Sequence, residues 1–132
     1  MAGLAGGMMR VLIIECNPEL GRVWSRSIER LGVEVFVARS QNEAIDIIRE
    51  NEVNVIILDL VIPNGSAFAV ADFAAYKQPD AKVIFVTNTT FFSDGSIFRH
   101  IPNACAFLQS ETPPEDLAAV VEHYGVTTAS NS

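Results

Sequence analysis

Four side chains able to act on a charged group stand where apolar runs of this chain stop. Glu15 and Cys16 follow Arg10-Val11-Leu12-Ile13-Ile14. Asp59 lies near the end of Val53-Asn54-Val55-Ile56-Ile57-Leu58, and Thr87 closes Lys82-Val83-Ile84-Phe85-Val86. Two carboxylates side by side, with backbone carbonyls nearby, make a hard oxygen site suited to Mg²⁺. A hydroxyl across from them could hydrogen-bond a phosphoryl oxygen. A carboxylate this close to an apolar core is costly unless solvated, paired or metal-bound. The plainer alternative is that each polar residue marks where its strand leaves the core, with Asp59 capping the loop that follows. Which holds depends on whether the elements carrying these residues bring them together.

Val53 to Pro63 is a long apolar run broken by one carboxylate and stopped by a proline, the pattern of a strand buried on both faces. Arg10–Glu15 and Lys82–Thr87 read the same way. Val33–Ala38 alternates and is β-branched, suiting a strand nearer the sheet edge. Ala104–Leu108 is a short fifth strand. Helix signals lie between them. Asn17-Pro18 is an N-cap followed by a first-position proline, with Leu20, Val23, Trp24, Ile28 and Leu31 forming the apolar stripe and Gly32 the stop. Ser40-Gln41-Asn42-Glu43 is a capping box before Ala44, Ile45 and Ile48. A third helix is predicted over about Ser66–Tyr76. A fourth opens at Thr112-Pro113-Pro114-Glu115, carries Leu117, Val120, Val121 and Tyr124 inward and ends at Gly125. Asn88–Pro102 gives no firm pattern. Strands alternating with helices call for a doubly wound parallel sheet, because parallel strands need helical crossovers. Ligands of such sheets sit beyond the carboxyl ends of the strands. With the first, third and fourth strands as neighbours, Glu15, Asp59 and Thr87 could converge there.

The 132 residues suit one domain, with 49% hydrophobic residues and a net charge of −7. A mean hydropathy of +0.27 excludes a disordered chain. The acidity, with pI near 4.7, excludes a nucleic-acid surface, which needs a basic stripe. No apolar segment is long enough to span a bilayer. Residues 1–9 lack a signal-peptide layout and are expected to be a disordered leader, and 126–132 a flexible tail. Cys16 and Cys105 show no disulfide framework. A cytoplasmic protein is expected. Neither His100 nor His123 has a sequence tie to Cys16, so a cysteine-based enzyme is not expected.

From about Arg10 to Tyr124 the chain resembles the receiver domains of two-component response regulators. The likeness rests on Asn17-Pro18-Glu19-Leu20 after the first strand, Ile56-Ile57-Leu58-Asp59-Leu60-Val61-Ile62-Pro63, the strand ending at Thr87, and Phe107-Leu108-Gln109-Ser110-Glu111-Thr112-Pro113-Pro114-Glu115-Asp116-Leu117. The resemblance implies a (βα)₅ flavodoxin-like fold with strand order 2-1-3-4-5, and phosphorelay signalling in which an Asp accepts a phosphoryl group from a phosphohistidine. It implies that Asp59 is the phosphoacceptor, Thr87 the switch hydroxyl and Phe107 the switch aromatic. It also implies Mg²⁺ held by Glu15, Asp59 and the backbone carbonyl of Val61. A histidine kinase or phosphotransfer protein would act upstream and a protein target downstream.

The departures concern charge. The family usually has two adjacent acids after the first strand, the second commonly the direct Mg²⁺ ligand; here Cys16 fills that place. The family's strand-five Lys is Ser110, and the proline after it is Glu111. Phosphoryl transfer depends on positioning and charge neutralisation, so slow, weak or absent phosphorylation is expected. A pseudo-receiver, acting as an interaction module without phosphate, is the alternative. A small flavodoxin-like cofactor binder fits less well, because the loop Glu15–Glu19 is anionic and lacks a phosphate cradle. On the third helix, Phe68, Val70, Ala71 and Ala74 are expected inward. Ala69, Phe73 and Tyr76 are expected outward at ~100° per residue. That face is a candidate surface for a protein partner or a homodimer.

Overall fold

A computed structural model describes residues 9–60, 62, 65–87 and 104–130. Expectations for residues 1–8 of the leader, for Asn88–Pro102 and for the Val61 carbonyl fall outside those residues, as do Pro63 and Asn64; Met9, also expected in the leader, instead packs half-buried on the core with its carbonyl accepting from Glu34 N–H. The elements are β1 (Arg10–Ile14), α1 (Pro18–Glu29), β2 (Glu34–Ala38), α2 (Gln41–Glu50), β3 (Val55–Asp59), α3 (Ala67–Lys77), β4 (Lys82–Thr87), β5 (Ala104–Gln109) and α4 (Pro114–Ser130).

The five strands form one parallel sheet in the order β2-β1-β3-β4-β5. Because side chains alternate across a strand, each central strand feeds two cores. Leu12, Ile14, Ile56, Leu58, Val83 and Phe85 face α2 and α3, where they meet Ala44, Ile48, Val70, Ala71 and Ala74. Val11, Ile13, Val55, Ile57, Ile84 and Val86 face α1 and α4, where they meet Trp24, Ile28, Leu117 and Val121. This double burial is why the strands read as unbroken apolar runs. The edge strand β2, by contrast, keeps Val37 43% exposed.

Local chemistry sets the helix ends. Asn17 caps α1, its Oδ1 accepting from the N–H groups of Glu19 and Leu20 at 3.0 and 3.3 Å. Ser40 caps α2, accepting from Glu43 N–H, while Glu43 reaches back to the N–H of Arg39. Ser66 caps α3 through Ala69 N–H. Its own N–H donates to Gln41 Oε1 at 2.8 Å, tying the loop after β3 to the start of α2. Gly65 permits that approach, since a Cβ there would lie 2.7 Å from Gln41 Cβ. Gly32 takes φ of +80° after α1, the conformation its place as a helix stop requires.

Several expectations are corrected. Val23 is 45% exposed, so the inner stripe of α1 is Leu20, Trp24 and Ile28 with the buried Gly21, and Leu31 packs on the same core past the helix end. On α2 it is Ile47, rather than Ile45, that packs on the core beside Ala44 and Ile48. On α3 the two aromatic assignments shift. Phe73 is half-buried against the core, whereas Phe68 is 38% exposed with its ring 6.0 Å from that of Phe85. Of the expected outer set, Ala69 is half-buried and Tyr76 is 83% exposed. Helix α4 starts one residue late, with the Pro113 carbonyl accepting from Asp116 and Leu117. It runs on through Gly125 to Ser130, because a helical glycine costs only about 1 kcal/mol relative to alanine.

One polar side chain joins three segments. Gln78, at the C-cap of α3, donates through Nε2 to the carbonyls of Ile48 and Asn51, both at 2.7 Å, and accepts from Val53 N–H at 2.8 Å. It thereby locks the end of α2 and the approach to β3 onto α3. Gln78→Ala leaves these backbone groups without that partner and should destabilise the domain by about 1–3 kcal/mol. Urea unfolding checks this through a lower midpoint at an unchanged slope.

Candidate functional site

The hydrogen-bond ladders of the sheet run one residue beyond its strands at their carboxyl ends. Glu15 N–H donates to the Ala38 carbonyl at 3.0 Å, and Leu60 N–H to the Val86 carbonyl at 2.9 Å. Ser110 N–H donates to the Thr87 carbonyl at 2.7 Å. These bonds anchor the backbone on which Glu15, Asp59, Thr87 and Ser110 stand, so the crevice is built on sheet rather than on loop.

Within it, one carboxylate oxygen of Glu15, Sγ of Cys16 and one carboxylate oxygen of Asp59 lie within 4.8 Å of one another. The three differ in exposure. Glu15 is 3% exposed, Asp59 is half-buried and Cys16 is exposed. Thr87 is buried at the end of β4, next to β3. Phe107 pairs with Phe85 across β4 and β5, their rings edge to face at 6.5 Å, and it packs half-buried on the α2–α3 core. Ser110 is half-buried beside Thr87, and Glu111 after it is exposed. Val61 lies outside the described residues, so its carbonyl is not placed.

Burial dominates the electrostatics. The Glu15 carboxyl is pushed up from 4.5 to about 7, first by desolvation and then by the adjoining Asp59 carboxyl. Asn17 N–H, donating to Glu15 Oε2 at 3.1 Å, pulls the other way. The other oxygen, Oε1, is buried with no hydrogen-bond partner among the described residues. Desolvation and the adjoining Asp59 carboxylate both favour the protonated form of Glu15. Burial, followed by the charges of Glu15 and Asp59, also pushes the Cys16 thiol up. Both cysteines are free. The role of Asn17 in holding Glu15 had no sequence signal beyond the cap, because the same turn that caps α1 also turns the Asn17 N–H back onto Glu15.

This donor set does not fit Mg²⁺. That ion demands near-octahedral oxygen ligation. Here the third donor is a soft thiol.

The sequence matches the family model described as response regulator receiver domain over residues 11–121. A comparison with curated proteins gives no match. Among solved structures, a CheY-like response regulator receiver domain protein from Methanospirillum hungatei JF-1 is similar with a TM-score of 0.85 at 21% identity, covering 95% of this chain and 99% of its own. The response regulator protein TrrA from Thermotoga maritima, in complex with Mg²⁺-BeF, has a TM-score of 0.77 at 21% identity, covering 89% and 99%. A response regulator protein from Burkholderia pseudomallei, with a phosphorylated aspartic acid, a calcium ion and citrate, has a TM-score of 0.74 at 21% identity, covering 87% and 71%. At such identities the structural likeness is one of fold. Among the described residues no helix is long and apolar enough to cross a membrane.

The raised Glu15 carboxyl has a signed consequence. Between pH 4.5 and about 7 the folded chain binds more protons than the unfolded one, so stability falls as pH rises through that window. Glu15→Gln is neutral throughout and can still donate to Asp59. It should match the parent near pH 5 and exceed it by up to about 3 kcal/mol at pH 8, as read by urea midpoints at the two pH values.

Proposed function

Since the chain belongs to the response regulator receiver domain family, we propose that it is a signalling module with Asp59 at the phosphoacceptor position, where phosphoryl uptake is slow because no lysine balances the charge. The observation that carries this is Ser110. Its N–H bond to the Thr87 carbonyl sets an uncharged hydroxyl beside the switch position, where the family resemblance expects a lysine.

In the proposed reaction an Asp59 carboxylate oxygen forms a bond to phosphorus as the donor's P–N or P–O bond breaks, and the leaving group departs with that electron pair. The product adds about −1.5 to −2 charge within a few ångströms of Glu15. Once Glu15 has lost its proton, two unit charges within 4.8 Å of each other at an effective dielectric of 20 repel by about 3 kcal/mol or more, on the order of a hundredfold in rate. The chain's own contributions are the sheet-anchored placement of Asp59, the buried Thr87 hydroxyl, and Phe107 packed against Phe85 behind it.

Partners follow from the same reading: a histidine kinase or phosphotransfer protein upstream, and a protein target downstream. The outer side of α3 offers that target chiefly Tyr76, with Ala69 half-buried and Phe73 turned onto the core. Action without phosphate is the second reading, favoured by the exposed thiol of Cys16 in the crevice and by the uncharged Ser110.

Incubation with acetyl phosphate and Mg²⁺, followed by intact mass, tests the proposal. The parent should gain little acid-labile +80 Da adduct, Ser110→Lys should gain it on the order of 10- to 100-fold faster, and Asp59→Asn none. A rapid, stoichiometric adduct on the parent, lost in Asp59→Asn, would overturn slow uptake.

A further inference from the structure

Cys16 is the one donor of the crevice that its charge balance leaves unexplained. A thiol contributes nothing to phosphoryl positioning, yet it stands with two carboxylates inside 4.8 Å. It is exposed, so solutes reach it directly. A second observation points to a ligand. Glu15 is 97% buried by its 3% exposure, Asn17 N–H holds its Oε2, and its Oε1 has no partner among the described residues. A buried oxygen left in that state costs free energy that a cation would recover.

We propose that this crevice is a site for a borderline divalent transition metal of the Zn²⁺ class, ligated by Glu15, Cys16 and Asp59, in place of the Mg²⁺ its donors do not suit. The choice of ion follows from the ligands. Thiolate selects Zn²⁺ and its neighbours, while all-oxygen sets suit Mg²⁺. Three protein ligands leave one position of a tetrahedral ion open. Tetrahedral geometry with Zn–O of about 2.0 Å and Zn–S of about 2.3 Å puts donors roughly 3.3–3.5 Å apart. The three atoms must therefore close by up to about 1.5 Å from their 4.8 Å limit, a movement that rotation of the exposed Cys16 and half-buried Asp59 side chains supplies. On ligation the thiol proton passes to solvent. The site occupies the same crevice as the signalling reading but rests on the donor set alone, so either can fail without the other.

Co²⁺ is the probe, because thiolate ligation gives it a near-ultraviolet charge-transfer band together with visible bands. Chelator-treated full-length chain titrated with Co²⁺ should develop these bands and saturate at one equivalent. Zn²⁺ should bleach them, and a hundredfold excess of Mg²⁺ should leave them unchanged. Cys16→Ser, at an exposed position and checked for folding by circular dichroism, should abolish the charge-transfer band. Asp59→Asn should weaken Co²⁺ binding at least tenfold. No band at tenfold excess of Co²⁺, a band that survives in folded Cys16→Ser, or displacement by Mg²⁺ overturns the proposal. Phosphoryl uptake enters none of these readings.

Discussion

The Glu15 carboxyl is buried at the end of a strand whose other residues are almost wholly apolar, with the Asp59 carboxyl within 4.8 Å. That juxtaposition follows from the sheet. β1 and β3 are hydrogen-bonded neighbours in register from Val11↔Val55 to Ile14↔Leu58, so the residues that follow, Glu15 and Asp59, leave the core side by side. The apolar cores on both faces hold this register, because a one-residue slip would turn every inward side chain to the opposite face. The same burial that stabilises the strands therefore forces two acids together in a place of low solvation.

Three responses to such a pair are physically available: a cation, a hydrogen-bond donor, or a proton. In the receiver family, as the resemblance implies, a metal and a lysine supply the first. By the same resemblance, Cys16 and Ser110 stand at those positions here. One backbone N–H, from Asn17, serves as a donor, and the Glu15 carboxyl, held up to about 7, takes the proton. Among the described residues, the pair is thus met by one backbone donor and by protonation of Glu15. Geometry and charge balance are separable here because the sheet ladders fix the first and individual side chains supply the second.

Much of the fold is legible in the sequence because burial on both faces writes itself as apolar runs. β4 stands at Lys82–Thr87 as expected, and three of the four helix starts follow their cap residues. The errors occur where that signal weakens. α3, Ala67–Lys77, is apolar on nearly every side, so no polar face fixes its rotation and Phe68 and Phe73 are misassigned. Val23 follows the apolar stripe of α1 yet remains exposed. The Gln78 latch is invisible in sequence, since glutamine carries no signal for three backbone partners distant along the chain. The convergence of Glu15, Cys16 and Asp59 is expected once strand order is assumed, but the depth of Glu15 and the orphaned Oε1 emerge only in three dimensions.

The most direct test of the uncompensated acid pair is a carbon-detected NMR titration of the Glu15 side-chain carboxyl in the metal-free chain. A midpoint near 7 is predicted, with the cause in its burial beside Asp59. A midpoint near the ordinary 4.5 would show that the crevice is already solvated or neutralised, and would contradict the account.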